Sequence, residues 1–252
     1  PGTNFSYIGM NLRDPILRRP KVRRALAHAI DRETIIRYIL KGLAREADSL
    51  LPEGHWAHAP GLPRYGYEPE RAKALLDEAG LPDPDGPGPR VRFTLLYKTS
   101  QNELRRRIAE VFQEQLREVG VKLKIRSYEW GTFFGDIRSG NFQLYGLTWV
   151  GIDDPDIYYY IFHSRMMPPR GANRGGYLNP RVDRLLEEGR RTWERGRRRE
   201  IYAEIQRILG RELPYINLWH GTNVAVMAKE VRGFEVYPDE DFISLRKVDL
   251  RP

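Results

Sequence analysis

Apolar and polar residues follow two different periods in the first part of the chain. Residues 3–12 alternate apolar and polar side chains as a strand does, whereas residues 21–40 carry apolar residues at helical spacing. Asp31 divides this helical stretch into two segments, and it is a candidate N-cap because its carboxylate can accept hydrogen bonds from the free amides of a first turn. Residues 51–67 are rich in proline, glycine and aromatic residues, which predicts an ordered loop.

The rest of the chain alternates strand-like and helix-like segments. A short helix over 68–80 and a proline-rich and glycine-rich break over 81–90 precede a strand–helix–strand unit. The alternation predicts an α/β fold, which ends in a strand-rich tail. The predicted segments from that unit onward are strands over 91–97, 121–128, 142–150, 215–228 and 231–237, and helices over 102–119, 130–138, 154–163, 180–192 and 196–211.

Composition allows a folded core and excludes several classes of chemistry. The chain has 252 residues with 40% hydrophobic content, which is enough to bury a core, and no stretch approaches the roughly 20 apolar residues of a membrane-spanning helix. The absence of cysteine excludes disulfides, thiolate metal sites and cysteine nucleophiles. Because the chain begins Pro1-Gly2-Thr3, without a methionine or an apolar signal core, we expect any targeting segment to have been removed or to lie outside this sequence.

The net charge of +8 raises the possibility of an anionic partner. A nucleic-acid-binding surface would cluster basic residues on one face, but here the arginines are interspersed with acids. The arginine-rich stretch 190–199 also contains Trp193 and Glu194, so its pattern favours a solvated helix face. An anion-binding patch and a surface for acidic phospholipid remain the alternatives for this stretch.

No enzyme or cofactor motif is present. The glycine cluster 171–176 lacks both the spacing and the lysine of a phosphate-binding loop, and neither a G-x-S-x-G nor an H-E-x-x-H motif occurs. His55 and His58 have a spacing that can ligate a metal, but no third ligand is evident nearby, so we interpret them as loop histidines. We therefore predict no catalytic residue, no metal and no cofactor.

Three aspartates follow the strand that ends near Trp149. Asp153, Asp154 and Asp156 occupy the position where an open α/β sheet presents a crevice to a ligand. A carboxylate there can cap the next helix, pair with an ammonium group of a ligand, or contribute to a hard-cation site. All three roles remain open from the sequence.

Aromatic residues mark the same ends of the predicted strands. Trp130 and Trp149 can form walls of a pocket, and Tyr128 closes the preceding strand. The candidate ligand contacts are Tyr128, Trp130, Trp149, Asp153, Asp154 and Arg174.

Five segments in order along the chain resemble the family 5 solute-binding proteins, the dipeptide and oligopeptide receptors of ABC importers. Together they extend over nearly the whole chain. The segments are 21–36 (KVRRALAHAIDRETII), 149–164 (WVGIDDPDIYYYIFHS), 173–183 (NRGGYLNPRVD), 213–219 (LPYINLW) and 231–234 (VRGF).

The resemblance implies one lobe of a two-lobed clamshell of the periplasmic-binding-protein type II class, with a mixed sheet and flanking helices. Residues 1–11 are then a crossover strand from the N-terminal lobe, residues 12–219 the C-terminal ligand-binding lobe, and residues 220–252 strands that return to the N-terminal lobe. The resemblance further implies a monomer on the periplasmic or extracellular face of the cytoplasmic membrane. Its partners would be a peptide or similar solute and the permease subunits, with no nucleic acid, and its membrane association would run through the transporter or a removed anchor.

In peptide-binding members of the family, an aspartate three residues after the tryptophan holds the α-amino group of the peptide. Here that position is Ile152, and the nearest acids are Asp153 and Asp154. We therefore expect Trp149 to keep its role and Asp153 to take over the contact with the amine, with a solute other than a free-amine peptide left open. The alternatives to passive binding are a hydrolase that uses Asp153 and Asp154 and a module that binds anions or nucleic acid through the surplus of arginines.

Overall fold

Six strands form one mixed sheet in the middle of the fold. The computed structural model describes residues 2–86 and 88–250. The strands are β1 (Phe5–Met10), β2 (Ala44–Glu46), β3 (Phe93–Ser100), β4 (Val121–Tyr128), β5 (Leu144–Trp149) and β6 (Tyr215–Gly221). Their order is β2-β6-β1-β5-β3-β4: β6 pairs antiparallel with β2 and β1, β1 pairs antiparallel with β5, and β3 pairs in parallel with β5 and β4.

The predicted strand–helix–strand unit is confirmed. Helix α4 (Glu103–Glu118) connects β3 to β4, and the two strands pair in parallel up to Ser100 and Tyr128. Asn102 begins the helix, because its side chain accepts a hydrogen bond from the Arg105 amide at 3.1 Å. Gly120, with a φ of +78°, makes the turn into β4. The unit brings the ends of β3 and β4 to one edge of the sheet.

Helices cover both faces of the sheet, as the predicted fold class requires. Along β1, Ile8 and Met10 face a core formed with α1, α3 and α4, whereas Phe5 and Tyr7 face a second core formed with α5 to α8. The α/β architecture with a mixed sheet is therefore confirmed. The remaining helices are α1 (Pro20–His28), α2 (Arg32–Thr34), α3 (Pro69–Glu78), α5 (Trp130–Ser139), α6 (Ile157–Phe162), α7 (Pro180–Arg191) and α8 (Arg195–Glu212).

Asp31 divides the first helical stretch as predicted. Its carboxylate accepts a hydrogen bond from the Thr34 amide at 2.9 Å, and α2 continues directly into a π-helical turn over Ile35–Ile39. The predicted loop over 51–67 contains no helix or strand. Within the predicted break over 81–90, Pro87 lies outside the described residues.

The predicted strands of the tail were wrong in extent. β6 ends at Gly221, where its pairing with β2 also ends. Across residues 222–250, only β7 (Val231–Arg232) and β8 (Asp249–Leu250) form a ladder, which pairs these two strands with each other. The alternating apolar residues of this tail have no neighbouring strand to cover them, and Val226 is 95% exposed. An alternating pattern predicts a strand only where a sheet offers a free edge.

The outer segments of the chain supply two neighbouring strands inside this sheet, β1 and β6. β1 lies between β5 and β6, and β6 crosses the predicted boundary at residue 220. Pro1, Arg251 and Pro252, which belong to the predicted connecting segments, lie outside the described residues. Among the helices of the described part, none is both long and apolar enough to cross a membrane.

Candidate ligand-binding site

The candidate residues lie near the edge of the sheet where β3, β4 and β5 end. Trp149 is the last residue of β5 and pairs with Phe5, the first residue of β1. Tyr128 is the last residue of β4, and Trp130 begins α5 just after it. Because the carboxyl ends of parallel strands meet at the same edge, residues distant in sequence come together there.

A row of rings with one guanidinium between them is the main feature of this edge. Trp130 stacks on Phe134 with ring centroids 5.6 Å apart, and Trp149 meets Tyr160 edge to face at 6.3 Å. The guanidinium carbon of Arg174 lies 5.3 Å from the Phe134 ring and 5.1 Å from the Trp149 ring, so it links the two pairs. We call these five residues the aromatic–arginine row. It brings together three of the predicted site residues.

Close backbone packing holds Arg174 in this position. The Leu12 amide donates to the Gly175 carbonyl at 2.8 Å, and a Cβ at position 175 would collide with the Met10 carbonyl. Only glycine allows this approach. The glycine cluster therefore serves to pack the loop against the end of β1, which aims Arg174 at the row.

Buried tyrosines form the floor below Arg174. Its Nη1 donates to the Tyr7 hydroxyl at 3.2 Å, and the Tyr7 ring stacks on Tyr215 at 4.1 Å. Burial, followed by the neighbouring Tyr145 and Tyr215 hydroxyls, raises the pKa of Tyr7 well above its usual value. Burial would lower the pKa of Arg174, but the three tyrosines raise it on balance, so the guanidinium stays charged above a neutral phenolic floor.

The acidic turn, residues 150–156, lies beside the row and forms a recess of about 370 Å³ together with Trp149, Ile157 and Tyr160. Asp154 accepts two hydrogen bonds from Arg198, at 2.8 and 3.1 Å. Burial would raise the pKa of Asp154, but the Arg198 guanidinium lowers it on balance. Asp156 pairs with Arg190 at 3.0 Å. Two of the three acids are thus engaged within the lobe.

Asp153 is exposed, and its carboxylate has no partner among the described residues. The backbone carbonyl of Asp153 is 2.9 Å from His55 Nε2. His55 therefore holds the backbone of the turn and leaves the Asp153 carboxylate free of this contact. Ile152, at the position where the resemblance implies an amine-binding aspartate, is only 3% exposed and packs in the core shared by α5 to α8. Asp153 is therefore the one free carboxylate of the acidic turn.

Tyr128 stands apart from the row. Its ring lies 5.4 Å from the Lys98 ammonium, which pairs with Asp136 at 2.7 Å. No ring of the row contacts Tyr128 within the described part of the chain. At the far end of the row, the Arg105 guanidinium lies 5.5 Å from Trp130.

Three residues of this candidate site were not predicted from the sequence. Phe134 follows Trp130 by four residues on one helix, a spacing that places the two on the same face, so it was within reach of a sequence argument. Tyr160 belongs to the site because α6 places its ring against Trp149. Tyr7 carries no local signal, because it meets Arg174 from a strand 167 residues away.

The two loop histidines are separately engaged. His58 contacts the Asp48 carboxylate at 2.9 Å, while His55 contacts the backbone of the acidic turn. In the described ranges, no group of three or more histidine, cysteine or acidic side chains is placed to hold a metal ion.

Comparisons with known proteins place the chain in a family. The model of the family described as "Bacterial extracellular solute-binding proteins, family 5 Middle" matches residues 1–166. The dipeptide-binding protein of Escherichia coli (strain K12) is 31% identical over 240 residues, which is 94% of this chain and 44% of that protein. The oligopeptide-binding protein AppA of Bacillus subtilis is 30% identical over 255 residues, 97% of this chain and 46% of that protein.

Solved structures agree with the sequence matches. The structure of Bacillus subtilis AppA in complex with a nonapeptide has a TM-score of 0.87 at 28% identity, over 99% of this chain and 51% of that one. The periplasmic binding protein DppA from Helicobacter pylori in complex with the peptide STSA has a TM-score of 0.83 at 25% identity, over 99% of this chain and 47% of that one.

The fold is therefore that of a lobe of a solute-binding protein, and the chain belongs to the bacterial extracellular solute-binding proteins of family 5. The predicted family is confirmed, and membership confirms the predicted location outside the cytoplasm. The chain spans about half the length of the curated relatives it matches.

Proposed function

We propose that this chain is the C-terminal lobe of a receptor that captures peptides or similarly sized solutes and delivers them to the permease subunits of an ABC importer. The relatives described above are peptide-binding proteins by name. The observation that carries the proposal is one edge of the lobe that combines stacked rings with a cation, Arg174, and an anion, Asp153, neither of which has an ion-pair partner in the described part of the chain. Rings flanked by a few polar groups are typical of small-molecule sites.

The proposed receptor has a second lobe, to which the outer segments of this chain lead. Residues 2–4 and the segment after β6 run side by side: Gly2 N donates to Gly221 O at 2.8 Å, and Thr3 N donates to Pro238 O at 2.8 Å. Exposed apolar residues of the tail, such as Val226 and Phe242, supply surface for that lobe to cover. Residues 12–219 would form the lobe that faces it across the cleft.

Each candidate residue has a distinct role in this proposal. Trp149 and Trp130 form walls against apolar parts of the solute, and Asp153 pairs with an ammonium group. Asp154, held by Arg198, keeps the acidic turn in shape beside them. Tyr128 supports the end of β4 through its contact with Lys98.

The proposed receptor binds its solute without chemical change. A carboxylate-dependent hydrolase needs two carboxylates free to act on one bond. Asp154 is bound to Arg198, and Asp153 is adjacent to it in the chain, so this pair does not offer that arrangement. Nor do the arginines of α7 and α8 form a free basic surface throughout, since Arg181 of α7 pairs with an acid of α8 and Arg197 of α8 pairs with an acid of α7. We propose a monomer without a nucleic-acid partner.

A thermal-shift screen tests the proposal directly. The longer two-lobed protein is screened with peptides of two to five residues, hits are titrated by calorimetry, and each peptide is recovered and weighed by mass spectrometry. We expect a subset to raise the melting temperature and to be recovered intact. A screen without a single hit, or recovery of cleaved peptide, would contradict the proposal.

A further inference from the structure

Arg174 differs from the other enclosed arginines in how few of its donors are used. A guanidinium has five N–H donors. Within the described ranges, the guanidinium of Arg174 donates from Nη1 to Tyr7 and has the Tyr145 hydroxyl as a further polar neighbour, and no carboxylate lies within ion-pair distance. The residue is partly buried, and the rings of Phe134 and Trp149 lie 5.3 and 5.1 Å from its guanidinium carbon.

Arg32 shows what a structural arginine looks like in this lobe. It is 6% exposed and donates to four backbone carbonyls, those of Ala27, Ile30, Tyr65 and Asn217. Its guanidinium links these backbone segments by donating to their carbonyl groups. Arg174 has no such set of acceptors, so backbone support does not account for it.

Arg198 shows the second way in which the lobe treats an arginine. Its guanidinium lies 5.6 Å from the rings of Trp56 and Tyr202, much as Arg174 lies against Phe134 and Trp149. Arg198, however, donates to both oxygens of Asp154. Both arginines have aromatic neighbours, but among the described residues Arg198 has a carboxylate partner and Arg174 has none.

An unpaired, partly desolvated charge is costly unless a partner arrives to compensate it. We propose that Arg174 recognises a carboxylate of the solute, held against the Trp149 ring by the unused guanidinium N–H groups. This inference rests on the proposed function and names the class of solute: a molecule with an anionic end that Arg174 binds and, where it is a free-amine peptide, a cationic end for Asp153. Charge-assisted, paired hydrogen bonds are the geometry that a guanidinium offers a carboxylate.

Matched peptides test the proposal in the longer two-lobed protein. Each hit from the screen is titrated as the free acid and as the carboxamide, which differ only in charge at that end. We expect the acid to bind at least about tenfold more tightly, the preference to disappear in Arg174→Gln, and Arg174→Lys to retain part of it. Arg199→Gln, which removes an equal charge from an exposed position of α8, should keep the full preference.

Equal affinities for acid and amide, or an acid preference that survives Arg174→Gln, would overturn the proposal. A carboxylate from the other lobe that neutralised Arg174 on closure would produce equal affinities, and Arg174 would then bind that lobe and not the solute.

A second measurement decides the question even if no peptide binds. Nuclear magnetic resonance titration of this chain with 3-phenylpropionate and with 3-phenylpropionamide reports on the guanidinium Nε–H of Arg174 and the indole N–H of Trp149. We expect saturable shifts of both signals with the acid, none with the amide, and no saturable shift of the Trp149 signal in Arg174→Gln. Identical responses to acid and amide would refute carboxylate recognition, whereas a silent peptide screen with a positive acid response would refute only the peptide part of the proposed function.

Discussion

The aromatic–arginine row and the acidic turn meet at Trp149, yet they treat charge in opposite ways. In the turn, Asp154 and Asp156 have arginine partners from α8 and α7. In the row, Arg174 has rings on both sides and no carboxylate partner among the described residues. Paired charges fix the local structure, whereas an unpaired charge is available to a solute. The comparison teaches that the density of charge does not locate the site, because the densest cluster is largely neutralised within the lobe.

Removal of the ring shared by the two regions should have the largest effect. Trp149→Ala is expected to weaken solute binding by about 30-fold or more, the size typical of a buried aromatic at the centre of an interface. Calorimetry on the longer protein measures the loss. Trp193→Ala is the matched control, because Trp193 is 96% exposed and its ring contacts no ring or cation of the row among the described residues, so the variant should bind as the unchanged protein does. Equal losses in the two variants would remove Trp149 from the site.

The two adjacent aspartates should separate binding from stability. Asp153→Asn is expected to lower the affinity for free-amine peptides about tenfold and to leave acetylated peptides unaffected, because only the former carry an ammonium group. Asp154→Asn should weaken binding much less than Asp153→Asn does and lower the free energy of unfolding by up to ~1 kcal/mol, as expected for a partly exposed ion pair. Calorimetry measures the peptide affinity, and urea unfolding measures the free energy of unfolding. If Asp154→Asn lost the affinity for free-amine peptides and Asp153→Asn kept it, the two roles would be reversed.

The tyrosine floor offers a finer comparison. Tyr7→Phe removes the hydroxyl that accepts from Arg174 and should cost ~1 kcal/mol of unfolding free energy. Tyr215→Phe removes a buried hydroxyl without a hydrogen-bond partner in the described part of the chain, so it should be neutral or slightly stabilising. Urea unfolding of both variants measures the difference. Equal costs would mean that the contact with Arg174 contributes nothing.

The smallest effect should be the contribution of His220 to the pH dependence of the unfolding free energy. Burial lowers the pKa of His220, which packs on Phe5 with ring centroids 5.4 Å apart. The folded pKa therefore lies below the unfolded value of about 6.5, so the unfolded chain binds the proton first as the pH falls. This stabilising contribution is complete above about pH 6.5 and is lost below it. His220→Gln should unfold with a weaker dependence on pH between pH 7.5 and 5, and an unchanged dependence would exclude His220 as a source.

The sequence predicted the regular elements well where local pattern and tertiary environment agree. β4 has the predicted bounds because its alternation faces a core on one side, and Asp31 caps a helix because that contact is local. The prediction for the tail failed although its alternation is as regular as that of β4. Across residues 222–250, no edge of the main sheet pairs with the tail beyond Gly221. Local pattern contains no information on whether a partner strand exists.

For the candidate site, which stays a prediction, the sequence names residue types but not the pairs that they form. Trp149, Trp130 and Arg174 could be named from the sequence, and the helical spacing of Phe134 extends that set. Asp153 and Asp154 are chemically equivalent and adjacent, so only the position of Arg198 distinguishes the free acid from the paired one. The contact of Arg174 with Tyr7 depends on the packing of Gly175 against β1, which no local rule contains.

The most direct test of a solute held between two lobes compares one peptide on two proteins. Calorimetry measures its affinity for the longer two-lobed protein and for this chain alone. Because about half of the enclosing contacts would be missing from this chain, we predict that it binds the peptide at least about 100-fold more weakly. Equal affinities would contradict the shared cleft and would mean that this lobe alone forms the complete site.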